Sequence, residues 1–252
     1  MSDATVAEIT EQKSVWSYLV GIIDKPHSTF TGLLVNPRLK WVLPLVLALL
    51  VAVVSVWVAV PHSSEIARQA TIQQLNESGM SPEQMDEALA QTARFQSPLF
   101  LGIVGSVAGV AGLVIIWLVV AGLFYFLSLV AGAEFNYGAA FVVVAWASLP
   151  VTLRSLVQTV LIAVTGKFPI YTGLAALQVS GDVLKDSANP MIGLLSFADI
   201  FWIWHLVLLV VGLAVATKFS RVKAAMIVLL YAVLSVGLTV GLTMLGAVFR
   251  GG

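Results

Sequence analysis

Cysteine is absent from the 252 residues, so disulfides, thiol nucleophiles and thiolate metal sites are excluded. Charge is scarce as well. Asp, Glu, Lys and Arg make up 10% of the chain, against about 25% in a soluble domain, so the chain cannot cover itself with a polar surface. Cations and anions cancel at 13 each, and a chain without basic excess is not expected to bind nucleic acid. Histidine occurs three times and never as HExxH. A phosphate-binding GxxxxGK[ST] loop, a GxSxG elbow and paired acids at catalytic spacing are missing too. No enzyme, metal or cofactor is expected from such a composition. The first 40 residues hold no continuous apolar core ahead of a small-residue cleavage site, so no removable signal peptide is expected.

What the chain has is apolar length. Hydrophobic residues make up 59% and the mean hydropathy is +0.98. About 20 apolar residues cross a bilayer core of roughly 30 Å. Residues 41–60, 97–133, 137–165, 191–217 and 224–249 each suffice. With no water to satisfy the backbone, these spans are helices. The expected fold is an all-α polytopic membrane protein of five transmembrane helices. Residues 1–40 form an N-terminal segment and 41–249 the membrane domain.

Lys and Arg in the loops set the orientation. Lys13, Lys25, Arg38, Lys40, Lys218, Arg221 and Lys223 fall on one side, with the AGAEFNYG turn. Arg68, Arg94, Lys167, Lys185 and Arg250 fall on the other. Seven cations against five, with the seven crowded against the membrane ends, place the N-terminus in the cytoplasm and the C-terminus outside. Trp16, Tyr18, Leu19, Ile22 and Ile23 form an apolar stripe that suits a helix lying on the inner surface or a plain lead-in to the first span. Residues 62–97 read as an outside hairpin of two short helices around NESGMSPEQ. Ser81 caps the second, Pro82 opens it and Gln84 completes a capping box. Another outside loop covers 167–190, with a short helix near 174–179. No internal repeat is visible, which leaves an inverted-repeat transporter unsupported.

Two charges stand inside spans, each costing roughly 2.5–3.5 kcal/mol at a helix centre. Arg154 lies 11 residues before Thr165 and Asp199 nine residues after Pro190, or roughly 16 and 13 Å along their helices. The matched depths predict an interhelical ion pair, with Gln158 one turn from Arg154 as a further hydrogen-bonding group. The pair serves either an ion or proton pathway or a structural pin. The pin is preferred, because a relay usually shows more than one pair. His205 has no second histidine or acid at ligand spacing and reads as a hydrogen-bonded core or interfacial histidine. Trp202 and Trp204 read as packing residues. Pro150 predicts a kink in the third span. Gly105/Gly109 and Gly237/Gly241 are GxxxG spacings that suit close helix packing within the chain more than a dedicated dimer face. Glu134, in the inner turn, shares its side with Lys218, Arg221 and Lys223. It is a candidate to pair with one of them or to belong to a docking face.

The segments SYLVGIIDKPHSTFTGLL, WVLPLVLALL, LVAGAEFNYGAAFVVVAWASLPVTLRSLV and FADIFWIWHLVLLVVGLAVATKFSRVKAA together resemble the bacterial branch of the Yip1 domain family. Gly132-Ala133-Glu134-Phe135 matches its Gly-x-x-Phe turn before a proline-containing third helix. Asp199-Ile200-Phe201-Trp202-Ile203-Trp204 matches its Asp-x-Phe-x-x-Trp helix. The resemblance implies five helices, a cytoplasmic N-terminus and no catalytic residues. It implies a bacterial inner-membrane location, where the Rab-linked vesicle traffic of eukaryotic relatives has no counterpart. The expected function is a non-enzymatic, membrane-organising or partner-binding scaffold. Its partners would be the lipid bilayer and a membrane protein or a second copy of the chain. The rival is a small transporter, channel or lipid-moving protein built on Arg154, Asp199 and the Pro150 kink.

Overall fold

The computed structural model describes residues 15–168, 171–181, 186 and 189–251, with side chains between 16 and 245. Lys13, Lys185 and the Arg250 side chain, all used in the charge count, lie outside the described residues. Helices account for the architecture: α1 (Val15–Asp24), α2 (Pro26–Leu34), α3 (Val42–Glu77), α4 (Pro82–Ala93), α5 (Pro98–Val130), α6 (Tyr137–Ala147), α7 (Leu149–Thr165), a 3-10 turn (Gly173–Leu177), α8 (Pro190–Leu195), α9 (Ile200–Thr217) and α10 (Arg221–Gly251). Five stretches are long and apolar enough to cross a membrane: α3, α5, α6 with α7, α9, and Arg221–Leu245 of α10.

The first span runs much further than the apolar run 41–60. α3 continues through Pro61 for 36 residues, about 54 Å at helical rise, so its far end projects well past a 30 Å core. The first arm of the 62–97 hairpin is therefore the continuation of α3 rather than a separate helix. α4 folds back on it, tied by Gln96 Nε2 donating to Thr71 Oγ1 at 2.8 Å. Ser81 and Gln84 form a reciprocal capping box, as their spacing predicts.

The core lies where α2, α6 and α9 meet. Phe30 and Leu33 of α2, three residues apart and so on one helix face, are fully buried. They pack against α9, where Gly212 allows the approach: a Cβ there would come within 3.0 Å of the Phe30 ring and 2.7 Å of Val143. Along α6, every residue from Val142 to Ala147 is buried, as expected of a helix wrapped on all sides. Half of the third span's apolar window is buried, against 11% for α3. α3 and α10 are thus peripheral staves around a central α6. On α1, Tyr18 and Ile22 are buried while Trp16, Val20 and Ile23 stay exposed. Tyr18 meets Trp146 edge to face with centroids 6.1 Å apart, and Lys40 lies over the Tyr18 ring. The apolar stripe is therefore divided: one side docks on the bundle and the other is left to the surroundings.

The turns gather at two ends. Lys223 Nζ donates to the Ala131 carbonyl at 2.6 Å, placing the α9–α10 turn beside the α5–α6 turn. At the opposite end His62 Nε2 meets the Gly166 carbonyl at 2.9 Å, joining α3 to the end of α7. Gly173 (φ +56°) lies so close to the Ala198 carbonyl that any Cβ would collide with it, which fixes the 3-10 turn against the start of α9.

Candidate functional site

The third span is interrupted at Ser148. α6 ends at Ala147 and α7 starts at Leu149, with Pro150 in its first turn. Proline has no N–H and crowds the preceding turn, and the structure turns this into a break between two helices. A break frees backbone carbonyls, which lipid cannot satisfy. The Ala147 carbonyl finds its partner on α9, where His205 Nδ1 approaches to 2.7 Å. A carbonyl only accepts, so Nδ1 carries the proton and Nε2 faces the Tyr231 hydroxyl at 3.5 Å. His205 therefore ties α9 to the break in the third span.

The fourth span is shorter than the apolar run 191–217. α8 ends at Leu195, the chain loosens over 196–198, and α9 begins only at Ile200. Asp199 is the N-cap of that helix, in extended conformation, with its carboxylate accepting from the Trp202 amide at 3.3 Å. It stands at the end of an 18-residue helix, about 27 Å long, and not nine residues deep inside one. A carboxylate at a helix N-terminus also lies at the positive end of the helix dipole. The same oxygen, Asp199 Oδ2, accepts from Arg154 Nη1 at 3.0 Å, with side-chain exposures of 24% for Arg154 and 8% for Asp199. One carboxylate thus starts α9 and links it to α7.

Beside this joint lies a cleft of about 440 Å³ between α3, α5, α7, α9 and α10. Its polar lining comes from Ser55, Thr152, Thr159, Gln158, His205 and Tyr231. Ser55 and Thr159 share a hydroxyl–hydroxyl bond across α3 and α7. Gln158 belongs to the cleft wall, one turn beyond Arg154. The Trp202 ring stacks at 5.3 Å from His205 and 6.0 Å from Tyr231, closing the cleft on the α9–α10 side. No cluster of three metal-ligating side chains exists among the described residues.

The remaining candidate residues stand apart from this joint. Glu134 is exposed in the α5–α6 turn and forms no ion pair among the described residues. Lys223 instead bonds the Ala131 carbonyl and lies 3.9 Å from the Phe219 ring centroid, so the expected Glu134 pairing with Lys218, Arg221 or Lys223 is not formed. Lys218 ends α9 in the left-handed conformation, its charge at the negative end of the helix. Gly105 and Gly109 face Val56 of α3, and Gly102 faces Trp57. A Cβ at Gly237 or Gly241 on α10 would meet no neighbouring helix within 4 Å among the described residues.

Continuous apolar runs hid the starts of α7 and α9. Asp199 followed by an apolar helical run is an N-cap signature that the length of 191–217 obscured. The tie from His205 to Ala147 had only half a signal: Pro150 announces a freed carbonyl, but nothing local says which side chain reaches it.

The family profile described as the Yip1 domain matches residues 20–243, from α1 into α10. No curated protein and no solved structure matches the chain.

Proposed function

This chain belongs to the Yip1 domain family and is an integral membrane protein; from that premise we propose that it is a non-enzymatic scaffold that organises partners in the bacterial inner membrane. One observation carries the reading. Asp199 and His205 are occupied in holding helices together: Asp199 by Arg154 and the α9 start, His205 by the Ala147 carbonyl. A group engaged in two structural bonds is poorly placed to cycle a proton or a substrate. The face carrying Glu134, Lys218 and Arg221 is the proposed cytoplasmic docking face for a membrane protein or a second copy of the chain.

Affinity purification in mild detergent tests this reading. Partner recovery should survive replacement of Arg154 and Asp199 together by leucine, and Glu134→Gln should lower it while insertion is unchanged. Loss of recovery in the folded double variant overturns the scaffold reading. A periplasm-active reporter should give signal after Arg250 and none within 218–223.

The hydroxyl-lined cleft favours a second reading, a small transporter or channel. It falls within the size range of small-ligand sites. Liposome-reconstituted protein should then pass protons or a small solute, and Thr159→Val should slow that flux.

A further inference from the structure

A second concavity, unrelated to the Arg154–Asp199 joint, opens on the face that carries the α1–α2 and α9–α10 turns. It encloses about 1120 Å³ between α9 and α10 under the α1–α2 turn. Its walls are two facing stripes. α9 supplies Ile203, Val207 and Val210, and α10 supplies Val222, Met226 and Leu229. Both follow the three-and-four spacing of one helix face. The α10 wall runs over the 12 residues from Arg221 to Ala232, or about 16 Å, which is half of a bilayer core.

Its mouth is of the opposite character. Lys25, His27 and Arg221 line it together with Asp24 and Ser28. Lys25 stands 4.0 Å from Asp24, so that acid is answered locally, and Arg221 forms no ion pair among the described residues. The mouth also holds the start of α2. Lys25, its N-cap, makes no side-chain capping bond, and Pro26 at the first position has no N–H to offer. Lys25 N–H bonds the Gly21 carbonyl, which leaves the amides of His27 and Ser28 at the start of this nine-residue helix without an acceptor in their own helix, a setting that favours phosphate.

We propose that this groove binds one anionic glycerophospholipid, with its phosphate between Arg221, Lys25 and the α2 N-terminus and an acyl chain between α9 and α10. This goes beyond the scaffold reading and does not depend on it. Charge decides the class of lipid. A zwitterionic headgroup carries a cation that this mouth would repel, whereas a singly anionic headgroup matches its surplus positive charge.

Competition between phosphatidylglycerol and phosphatidylcholine for the wild-type protein in mild detergent, read by native mass spectrometry, tests the proposal. One phosphatidylglycerol should be retained in preference to phosphatidylcholine. Each basic side chain beside an anionic lipid is worth about fivefold, so Lys25→Gln with Arg221→Gln should reduce the preference by an order of magnitude. Both positions are exposed, where substitutions leave stability nearly unchanged. Lys218→Gln, at a cation outside the lining, should leave the preference intact, and Ala225→Trp should lower retention of both lipids by filling the groove. Equal retention of the two lipids by the wild type overturns the proposal, as does a preference that survives the double substitution. Displacement of the lipid by inorganic phosphate would make the mouth a free-anion site and would also overturn it.

Discussion

The third and fourth spans are interrupted, while the first and second run without a break for 36 and 33 residues. The interrupted pair carries Arg154 within α7, Asp199 at the start of α9 and His205, and α6 lies at the centre of the molecule. The uninterrupted pair carries no charge through its apolar length and meets in small-residue contacts such as Gly105 on Val56. The difference teaches where polar residues are tolerated in an apolar bundle. Asp199 and His205 occur where the backbone itself has been left unsatisfied: Asp199 serves the first amides of α9, His205 the carbonyl freed at the α6–α7 break. The cost of the polar side chain and the cost of the broken backbone offset each other.

The sharpest way to break this comparison is to separate the two roles of Asp199. Asp199→Leu or Arg154→Leu alone strands a charge and should cost about 3–5 kcal/mol, read as thermal stability in detergent. The double leucine variant should recover most of this but retain a deficit of about 1 kcal/mol from the lost cap. Arg154→Leu with Asp199→Asn, which keeps a capping oxygen, should erase that remainder. Full recovery by the double leucine variant would show that the cap contributes nothing.

His205→Leu should follow, at about 1–3 kcal/mol, because it strands the Ala147 carbonyl in an apolar setting. Replacing Ser148 by its α-hydroxy acid, which turns the Ala147 carbonyl into an ester and weakens it as an acceptor, should make His205→Leu less costly. Independent effects of the two changes would detach the histidine from the break.

Overpacking should distinguish centre from periphery by a comparable margin. Gly212→Ala drives a methyl against Val143 and Phe30 and should cost about 1–3 kcal/mol. Gly237→Ala meets open space and should be neutral or slightly stabilising, since alanine is the better helix former by about 1 kcal/mol. An equal penalty at Gly237 would reveal a neighbour on α10 from another chain.

The smallest effect is expected outside the spans. Asp186 accepts from the Ser180 amide and hydroxyl and from the Gly181 amide. The Ser180 backbone bond foremost, with the Ser180 hydroxyl and Gly181 amide, holds its carboxyl below the ordinary carboxylate range. A carboxyl held low in the folded state stabilises above its unfolded pKa, near 3.9, and loses that contribution as pH falls through the folded value. Asp186→Asn should therefore lower thermal stability slightly at neutral pH, and the gap to wild type should close in acid. A gap independent of pH would assign the role of Asp186 to its shape and not its charge.

Five apolar stretches and almost no charge determined, from the sequence alone, an all-helical membrane protein, because a lipid-facing backbone must bond within its own helix. The spacing of Ser81 and Gln84 likewise determined a helix start, since a capping box is a local interaction. Pro150 announced a disturbance but not its remedy. Which carbonyl is freed, and that His205, 58 residues along the chain, would answer it, depends on α6 and α9 lying side by side. That Phe30 and Leu33 belong to the core was equally hidden, because α2 is too short to show a span and acquires its burial only by packing against α1, α6 and α9. Local bonding is written in local sequence. Matched depths in the sequence already paired Arg154 with Asp199, but the fate of the freed carbonyl and the groove between α9 and α10 are contacts between distant segments, and only packing in three dimensions decided them.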